Sequence, residues 1–293
     1  MKQEIVAMAQ NIIDNRRREL ERDFEEKMKP LYLDENFVSL NKAYARLVIE
    51  NARCEAFGEK CDKAEEEKLK KQLDEIKQKN GVNEIKYHCP KCKDSGKING
   101  QYCTCLKKEI SNILLKESGF ENLNSFDDAK FSNETTKLLY DKMKQWCHGD
   151  FKKNIITIGG QTGVGKTYLT KCMANELIEL GKVVKMVTAY SLNQDFQEAY
   201  KKKNDDVLEK YLDVDVLFID DLGTEPIYNN VTENFVYILI NERRIRKLPT
   251  IITTNLTIDE IGTKYSERIL SRLCDKKSSI NIFLNGDDIR IKK

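Results

Sequence analysis

The stretch GGQTGVGKTYLT, residues 159–170, contains a phosphate-binding pattern of the form G-x-x-x-x-G-K-[ST], complete at every fixed position. The residues of the pattern are Gly160, Gln161, Thr162, Gly163, Val164, Gly165, Lys166 and Thr167. In such loops backbone N–H groups surround the phosphates at a helix amino terminus, the lysine neutralises β- and γ-phosphate oxygens, and the hydroxyl binds magnesium. The stretch therefore predicts a nucleotide site with Mg²⁺, without saying what the bound nucleotide is used for.

The sequence around the glycine loop alternates between short apolar runs and longer segments with helical periodicity. Strands are predicted at residues 155–158, 183–188, 216–220, 250–254 and 280–284, with helices between them. Such an alternation is typical of an α/β fold in which helices cover a doubly wound parallel sheet. We therefore predict a five-stranded parallel sheet with the glycine loop after its first strand.

Polar side chains follow two other predicted strands. The run VDVLFIDDLG brings Asp220 and Asp221 to the carboxyl edge of the sheet, and PTIITTN ends in Asn255. We expect Asp220 to hold the magnesium shell and Asp221 to polarise the attacking water. Asn255 could orient the same water or contact the γ-phosphate. The alternative for the two acids is a helix cap after the strand.

Four cysteines are crowded into YHCPKCKDSGKINGQYCTCLKK, residues 87–108. They form a C-x-x-C pair and a C-x-C pair on either side of a short predicted hairpin: Cys89, Cys92, Cys103 and Cys105. Four thiolates at this spacing suit tetrahedral Zn²⁺, whose binding free energy would replace a core that so small a module lacks. Reduced cysteines in an exposed loop, or a redox C-x-x-C, are the alternatives. His88 could replace one thiolate, and Cys54 and Cys61 are reserve ligands.

Composition limits the possible partners and compartments. The 293 residues carry 50 Lys and Arg against 48 Asp and Glu, so the net charge of +2 predicts only local nucleic-acid surfaces. No signal peptide and no apolar run of about 18 residues is evident. The nine cysteines are an odd number, which favours reduced thiols over a secreted disulfide framework. We expect a soluble cytoplasmic protein with no membrane partner.

The predicted elements suggest four regions along the chain. Three charged helical segments occupy residues 1–86, and the cysteine module occupies residues 87–107. A linker at 108–130 then leads to the nucleotide-binding domain at 131–293. Within that domain the helix LNQDFQEAYKKKN combines aromatic side chains with lysines, as single-stranded DNA surfaces do. Its candidate DNA contacts are Phe196, Tyr200, Lys201, Lys202 and Lys203, unless the aromatics face the core and the lysines face solvent.

The segments GGQTGVGKT, VLFIDDLGTEP, RKLPTIITTNL and ERILSRL together resemble the AAA+ ATPases of bacterial replicative helicase loaders, the DnaC and DnaI type. The resemblance covers residues 120–293 closely, and the cysteine module looks more loosely like the zinc element of DnaI-like loaders. It implies that ATP is the nucleotide, with Asp220 as the Walker B acid, Asp221 as the catalytic carboxylate and Asn255 as the sensor. It also implies an arginine finger, Arg272 with Arg268 as the alternative, which reaches the γ-phosphate of a neighbouring subunit.

The resemblance further implies how such a protein works. An amino-terminal domain would bind the hexameric replicative helicase, while ATPase domains assemble around single-stranded DNA, with slow ATP turnover acting as a release switch. Nine residues follow the last predicted strand, too few for the helical lid of most AAA+ proteins. Arg290 is the candidate replacement for the sensor that such a lid carries.

Three other functions compete with the loader. A transposition helper ATPase of the IstB type would share the ATPase motifs, and a zinc adaptor would keep only a vestigial nucleotide pocket. A small-molecule kinase or GTPase is disfavoured because no N-K-x-D base-reading motif follows the glycine loop.

Overall fold

The computed structural model describes residues 3–58, 61–131, 134–203, 205–228 and 230–285. The helices in this part of the chain are α1 (Gln3–Met28), α2 (Glu35–Phe57), α3 (Lys63–Lys79), α4 (Thr104–Glu117), α5 (Glu134–Cys147), α6 (Lys166–Glu179), α7 (Ala189–Lys202), α8 (Glu209–Leu212), α9 (Thr232–Ile245), α10 (Ile258–Lys264) and α11 (Glu267–Leu273). The strands are β1 (Lys97–Ile98), β2 (Gln101–Tyr102), β3 (Ile155–Gly160), β4 (Val184–Thr188), β5 (Val216–Leu222), β6 (Thr250–Thr254) and β7 (Ser279–Leu284). Contacts divide the chain into two units, residues 12–95 and residues 1–11 with 96–293.

The larger unit contains a five-stranded parallel sheet in the order β4-β5-β6-β3-β7. Every residue of β3 is buried, as expected of a central parallel strand covered on both faces. β3 pairs with β6 on one side and β7 on the other, so the glycine loop after β3 emerges beside the end of β6. The predicted five-stranded parallel sheet, preceded by helices and with the glycine loop after its first strand in chain order, is confirmed.

Helix α4 covers the β4 edge of this sheet. The Ser111 side chain is fully buried; its hydroxyl accepts the backbone N–H of Val184 at 3.0 Å and lies 3.0 Å from the Lys107 carbonyl. Leu115 on the same helix joins the sheet core. Residues 108–117, placed in a linker by the sequence, therefore pack as part of the sheet unit.

The unit of residues 12–95 is helical, as the sequence predicts. Its small core consists of Met28, Leu31, Phe37, Leu73 and Val82. α2 begins after Asp34, whose carboxylate accepts the Phe37 N–H at 2.9 Å, and it ends at Gly58 in the left-handed conformation, φ 72°. None of the helices in the described part of the chain combines the length and apolarity needed to span a membrane.

Candidate functional site

The glycine loop connects β3 to α6 and has backbone angles that only glycine adopts readily. Gly160, Gly163 and Gly165 have φ values of 147°, 85° and 96°. At Gly160 a Cβ atom would also lie 2.5 Å from the carbonyl oxygen of Leu284. The loop therefore passes too close to β7 for a side chain at this position, which explains the first glycine of the pattern.

Lys166 begins α6 and is 5% exposed. Its ammonium donates to the carbonyl oxygens of Gly160 and Gln161, each at 2.8 Å, and to Asn255 Oδ1 at 2.6 Å. The structure thus joins the predicted phosphate lysine directly to the predicted sensor at the end of β6. A phosphate oxygen entering the loop would compete for the same ammonium.

Asp220 and Thr167 supply an oxygen pair suited to a small hard cation. The Thr167 hydroxyl donates to both carboxylate oxygens of Asp220 at 3.3 Å. Burial raises the pKa of Asp220, while hydrogen bonds from Thr253 and Thr167 and the charge of Lys166 oppose that rise. Carboxylate and hydroxyl oxygens are ligands that Mg²⁺ accepts alongside water and phosphate. Thr167 and Asp220 are therefore the residues that would hold magnesium, which would neutralise phosphate charge when bound.

Asp221 lines the nucleotide cavity, which has a volume of about 360 Å³. The other lining residues come from the glycine loop, the start of α6 and the end of β6: Thr162, Gly163, Gly165, Lys166, Thr167, Tyr168 and Asn255. Five of the predicted glycine-loop residues thus share one cavity with the predicted water-activating and sensor residues, whereas Gly160, Gln161, Val164 and Asp220 are not among the residues that line it. Tyr168 was not predicted; its place directly after the G-K-T pattern is the only signal that the sequence offers.

Thr253 is the other residue that the sequence analysis missed. It lies in β6, is 1% exposed, and its hydroxyl contacts both acidic residues of β5. The available signal was a polar side chain inside the apolar run IITT. The sequence of this strand alone does not show which residues of the neighbouring strand lie opposite Thr253.

The predicted arginine finger lies on α11, next to α9. The Arg272 guanidinium donates to the Tyr237 hydroxyl at 3.2 Å and to Asn241 Oδ1 at 3.3 Å, and it lies 5.4 Å from the centre of the Tyr237 ring. Arg268, the alternative, is exposed. Within the described residues neither arginine lines the nucleotide cavity, and Arg290 lies outside the described residues. The finger role of Arg272 stays a prediction about a neighbouring subunit.

The predicted DNA helix corresponds to α7, and one of its candidate contacts is wrong. Phe196 is fully buried and its ring stacks on Phe235 at a centroid distance of 4.9 Å. It belongs to the core because it occupies the inward face of an amphipathic helix. Tyr200 is 56% exposed and residues 201–203 are also exposed, so these four remain candidates for contact with DNA.

The four cysteines of the predicted zinc module converge. The Sγ atoms of Cys89, Cys92, Cys103 and Cys105 all lie within 4.8 Å of one another. The predicted hairpin is formed by β1 and β2, which pair across a turn with Asn99 and Gly100 at φ 51° and 78°. Cys103 precedes α4 as its N-cap residue and Cys105 lies in the first turn, which explains the short C-x-C spacing.

The C-x-x-C half is held by a buried carboxylate. Asp94 is 3% exposed and accepts the backbone N–H groups of Cys89 at 2.7 Å and His88 at 2.8 Å. The His88 side chain is 62% exposed and lies 3.5 Å from the Asp94 carboxylate. Four clustered thiols without the imidazole match the donor set of a structural zinc site with four cysteine ligands. The cluster is therefore compatible with Zn²⁺.

Comparisons with known proteins find a matching family model and similar proteins. A family described as IstB-like ATP binding protein matches residues 107–293. The replicative helicase loader DnaC of Escherichia coli (strain K12) is 27% identical over 173 residues, covering 57% of this chain and 69% of that protein. The phage-like element PBSX protein XkdC of Bacillus subtilis (strain 168) is 26% identical over 233 residues, covering 69% of this chain and 84% of that protein.

Among solved structures, the DnaC helicase loader aligns with a TM-score of 0.49 at 20% identity, covering 55% of this chain and 96% of that chain. The curated relatives confirm the resemblance to helicase loaders drawn from the sequence motifs. The family match extends over more than half of the chain and includes the glycine loop, both acids of β5, Asn255 and Arg272. The chain therefore belongs to the family of IstB-like ATP binding proteins.

Proposed function

We propose that this protein is an ATP-dependent loader of the replicative DNA helicase, which places the helicase on single-stranded DNA at replication initiation. The observation that carries the proposal is the match to a DnaC loader over 57% of the chain, and the cavity lined by glycine-loop residues, Asp221 and Asn255 supports it. ATP binding would order a loader assembly, and hydrolysis would release it.

The residues of the cavity suggest how bound ATP is sensed. Lys166 is hydrogen-bonded to two loop carbonyls and to Asn255, and phosphate oxygens would redirect its ammonium. The Asn255 side chain would then be released toward the γ-phosphate and the attacking water. Asp221 would orient that water and accept its proton. The end of β6 would therefore respond to the presence of the γ-phosphate.

Asp221→Asn should separate binding from hydrolysis. The amide keeps the size of the side chain but is a poor proton acceptor, so we expect ATP turnover to fall at least about tenfold. The affinity for ATP should change little because Lys166 and the loop are intact. Turnover and equilibrium binding of a fluorescent ATP analogue measure the two effects. Wild-type turnover in this variant would show that Asp221 is not the catalytic carboxylate.

Arg272→Ala tests whether neighbouring subunits share a site. The isolated subunit should bind ATP normally, while turnover should fall at least about tenfold, as for arginine fingers in other hydrolases. Mixing Arg272→Ala with Lys166→Ala should restore part of the turnover, because one mixed interface pairs an intact pocket with an intact finger. The same measurements on Arg268→Ala, a variant on the same helix, test the alternative finger. No recovery on mixing, combined with weaker ATP binding, would give Arg272 a role within its own subunit.

The remaining parts of the proposal concern partners. We propose that residues 1–86 bind the hexameric helicase and that residues 87–107 form a zinc-binding module next to this docking region. Tyr200 and the lysines at 201–203 are proposed to contact single-stranded DNA, since an exposed ring can stack on a base and lysines neutralise phosphates.

A transposition helper ATPase is the second candidate, and the description of the matching family favours it. The helical residues 12–95 and the cysteine cluster favour the loader. Purified tagged protein should be mixed with the replicative helicase of its host, with and without ATP. Retention of the helicase, lost when residues 1–86 are absent, is the expected result. No retention under either condition would reject the loader and leave the transposition helper.

A further inference from the structure

A bulge interrupts the pairing of β5 with β6 at the two acidic residues. Ile219 pairs with Ile252 and Leu222 pairs with Thr254, so Asp220 and Asp221 together lie opposite Thr253. Asp221 has φ 56°, a left-handed conformation that Asp and Asn adopt more readily than most residues.

The bulge explains how two consecutive acids serve one site. In a regular strand neighbouring side chains point to opposite faces of the sheet. Here Asp220 contacts Thr167, while Asp221 lines the same nucleotide cavity. The extra residue and the left-handed backbone are how Asp221, directly after Asp220 in the chain, also comes to line this cavity.

The Thr253 hydroxyl is bonded to both acidic residues. Its Oγ1 accepts the backbone N–H of Asp221 at 2.8 Å and donates to Asp220 Oδ1 at 2.7 Å. Because one lone pair receives an N–H, the single hydroxyl proton is directed at the carboxylate. The side chain is 1% exposed, so these bonds are shielded from water.

We propose that Thr253 is the positioning residue of the nucleotide site: its hydroxyl fixes the Asp220 carboxylate for magnesium and holds the bulge that turns Asp221 into the cavity. The kinetic part of this inference rests on the proposed ATP hydrolysis. The contact with Asp220 bears on magnesium-dependent nucleotide binding even if no hydrolysis occurs.

The test compares Thr253→Val with Thr253→Ser. Valine keeps the shape of threonine but removes both hydrogen bonds, whereas serine keeps the hydroxyl. Loss of a hydrogen bond to a charged group predicts that turnover falls about tenfold or more in the valine variant. In the presence of Mg²⁺, the affinity of the valine variant for ATP should fall about three- to tenfold, because the same hydrogen bond to Asp220 is lost. Affinity in EDTA should not change, because the glycine loop is intact, and serine should restore most of both properties.

Thr157→Val is the matched control. Thr157 lies in the neighbouring strand β3 and is 7% exposed, and within the described residues its hydroxyl has no hydrogen-bond partner. The same chemical change there should leave turnover and magnesium dependence at the wild-type level. An unchanged affinity in EDTA shows that each variant is folded.

Two results would overturn the inference. One is a Thr253→Val variant with wild-type turnover and wild-type magnesium dependence. The other is a Thr157→Val variant that loses as much turnover and magnesium-dependent affinity as Thr253→Val, because the effect would then come from placing a valine in the sheet and not from the Thr253 hydroxyl. If the wild-type protein hydrolyses no ATP, the proposed hydrolysis fails by itself. The magnesium dependence of ATP affinity in the two Thr253 variants then decides the inference.

Discussion

Replacing Lys166 with alanine should abolish ATP binding, with a dissociation constant at least about 100-fold higher than that of the wild type. The expectation follows from the position of Lys166, a residue that is 5% exposed and whose ammonium donates to the loop carbonyls and to Asn255. A charge-assisted contact to phosphate in such a shielded site contributes about 3 kcal/mol or more, and 1.4 kcal/mol corresponds to a tenfold change in affinity. Titration with a fluorescent ATP analogue measures the loss directly.

Lys171→Ala is the control for this experiment. Lys171 lies further along α6 and is partly exposed, so the substitution removes the same charge from the same helix without touching the cavity. Thermal unfolding without nucleotide should be similar in both variants, because alanine is a good helix former at either position. Tight ATP binding by the Lys166→Ala protein would mean that the cavity around the glycine loop is not the nucleotide site.

The sequence predicted which residues lie together at one edge of the sheet because one geometric rule connects them. The carboxyl ends of parallel strands meet at one sheet edge, so residues 160–167, Asp220 and Asn255 had to approach each other once the strands were recognised. The contact between Lys166 and Asn255 at 2.6 Å is the direct consequence.

Two kinds of feature could not be predicted from the strand ends: a break in strand pairing, and which face of a helix is buried. The bulge opposite Thr253 arises from one extra residue in β5, and the sequence VLFIDDL reads equally well as a regular strand. Phe196 precedes a lysine run but faces inward. Arg243 is fully buried and donates to the carbonyl oxygens of Tyr211 and Pro249, although arginine on a charged helix predicts a solvated side chain.

Loss of zinc should be complete when two of the four clustered cysteines are replaced. Purified wild-type protein should contain about one zinc per chain, and Cys89→Ser with Cys92→Ser should reduce this to nearly none, because two thiolates cannot complete a tetrahedral site. Binding of structural zinc contributes about 10–16 kcal/mol in small modules, so its loss should unfold the hairpin and the knuckle. Hydrogen exchange should report that loss between residues 87 and 103.

The same double variant should still bind ATP. Cys103 and Cys105 start α4, but Leu106 and Ile110 on that helix are fully buried, and Ser111 is bonded to β4. This packing should hold α4 on the sheet without the metal. Cys54→Ser with Cys61→Ser is the control, since these thiols lie outside the cluster found in the described residues and should leave the zinc content unchanged. Zinc retained after loss of Cys89 and Cys92 would require other ligands. ATP binding lost together with zinc would mean that the metal, rather than the buried face of α4, holds this helix on the sheet edge.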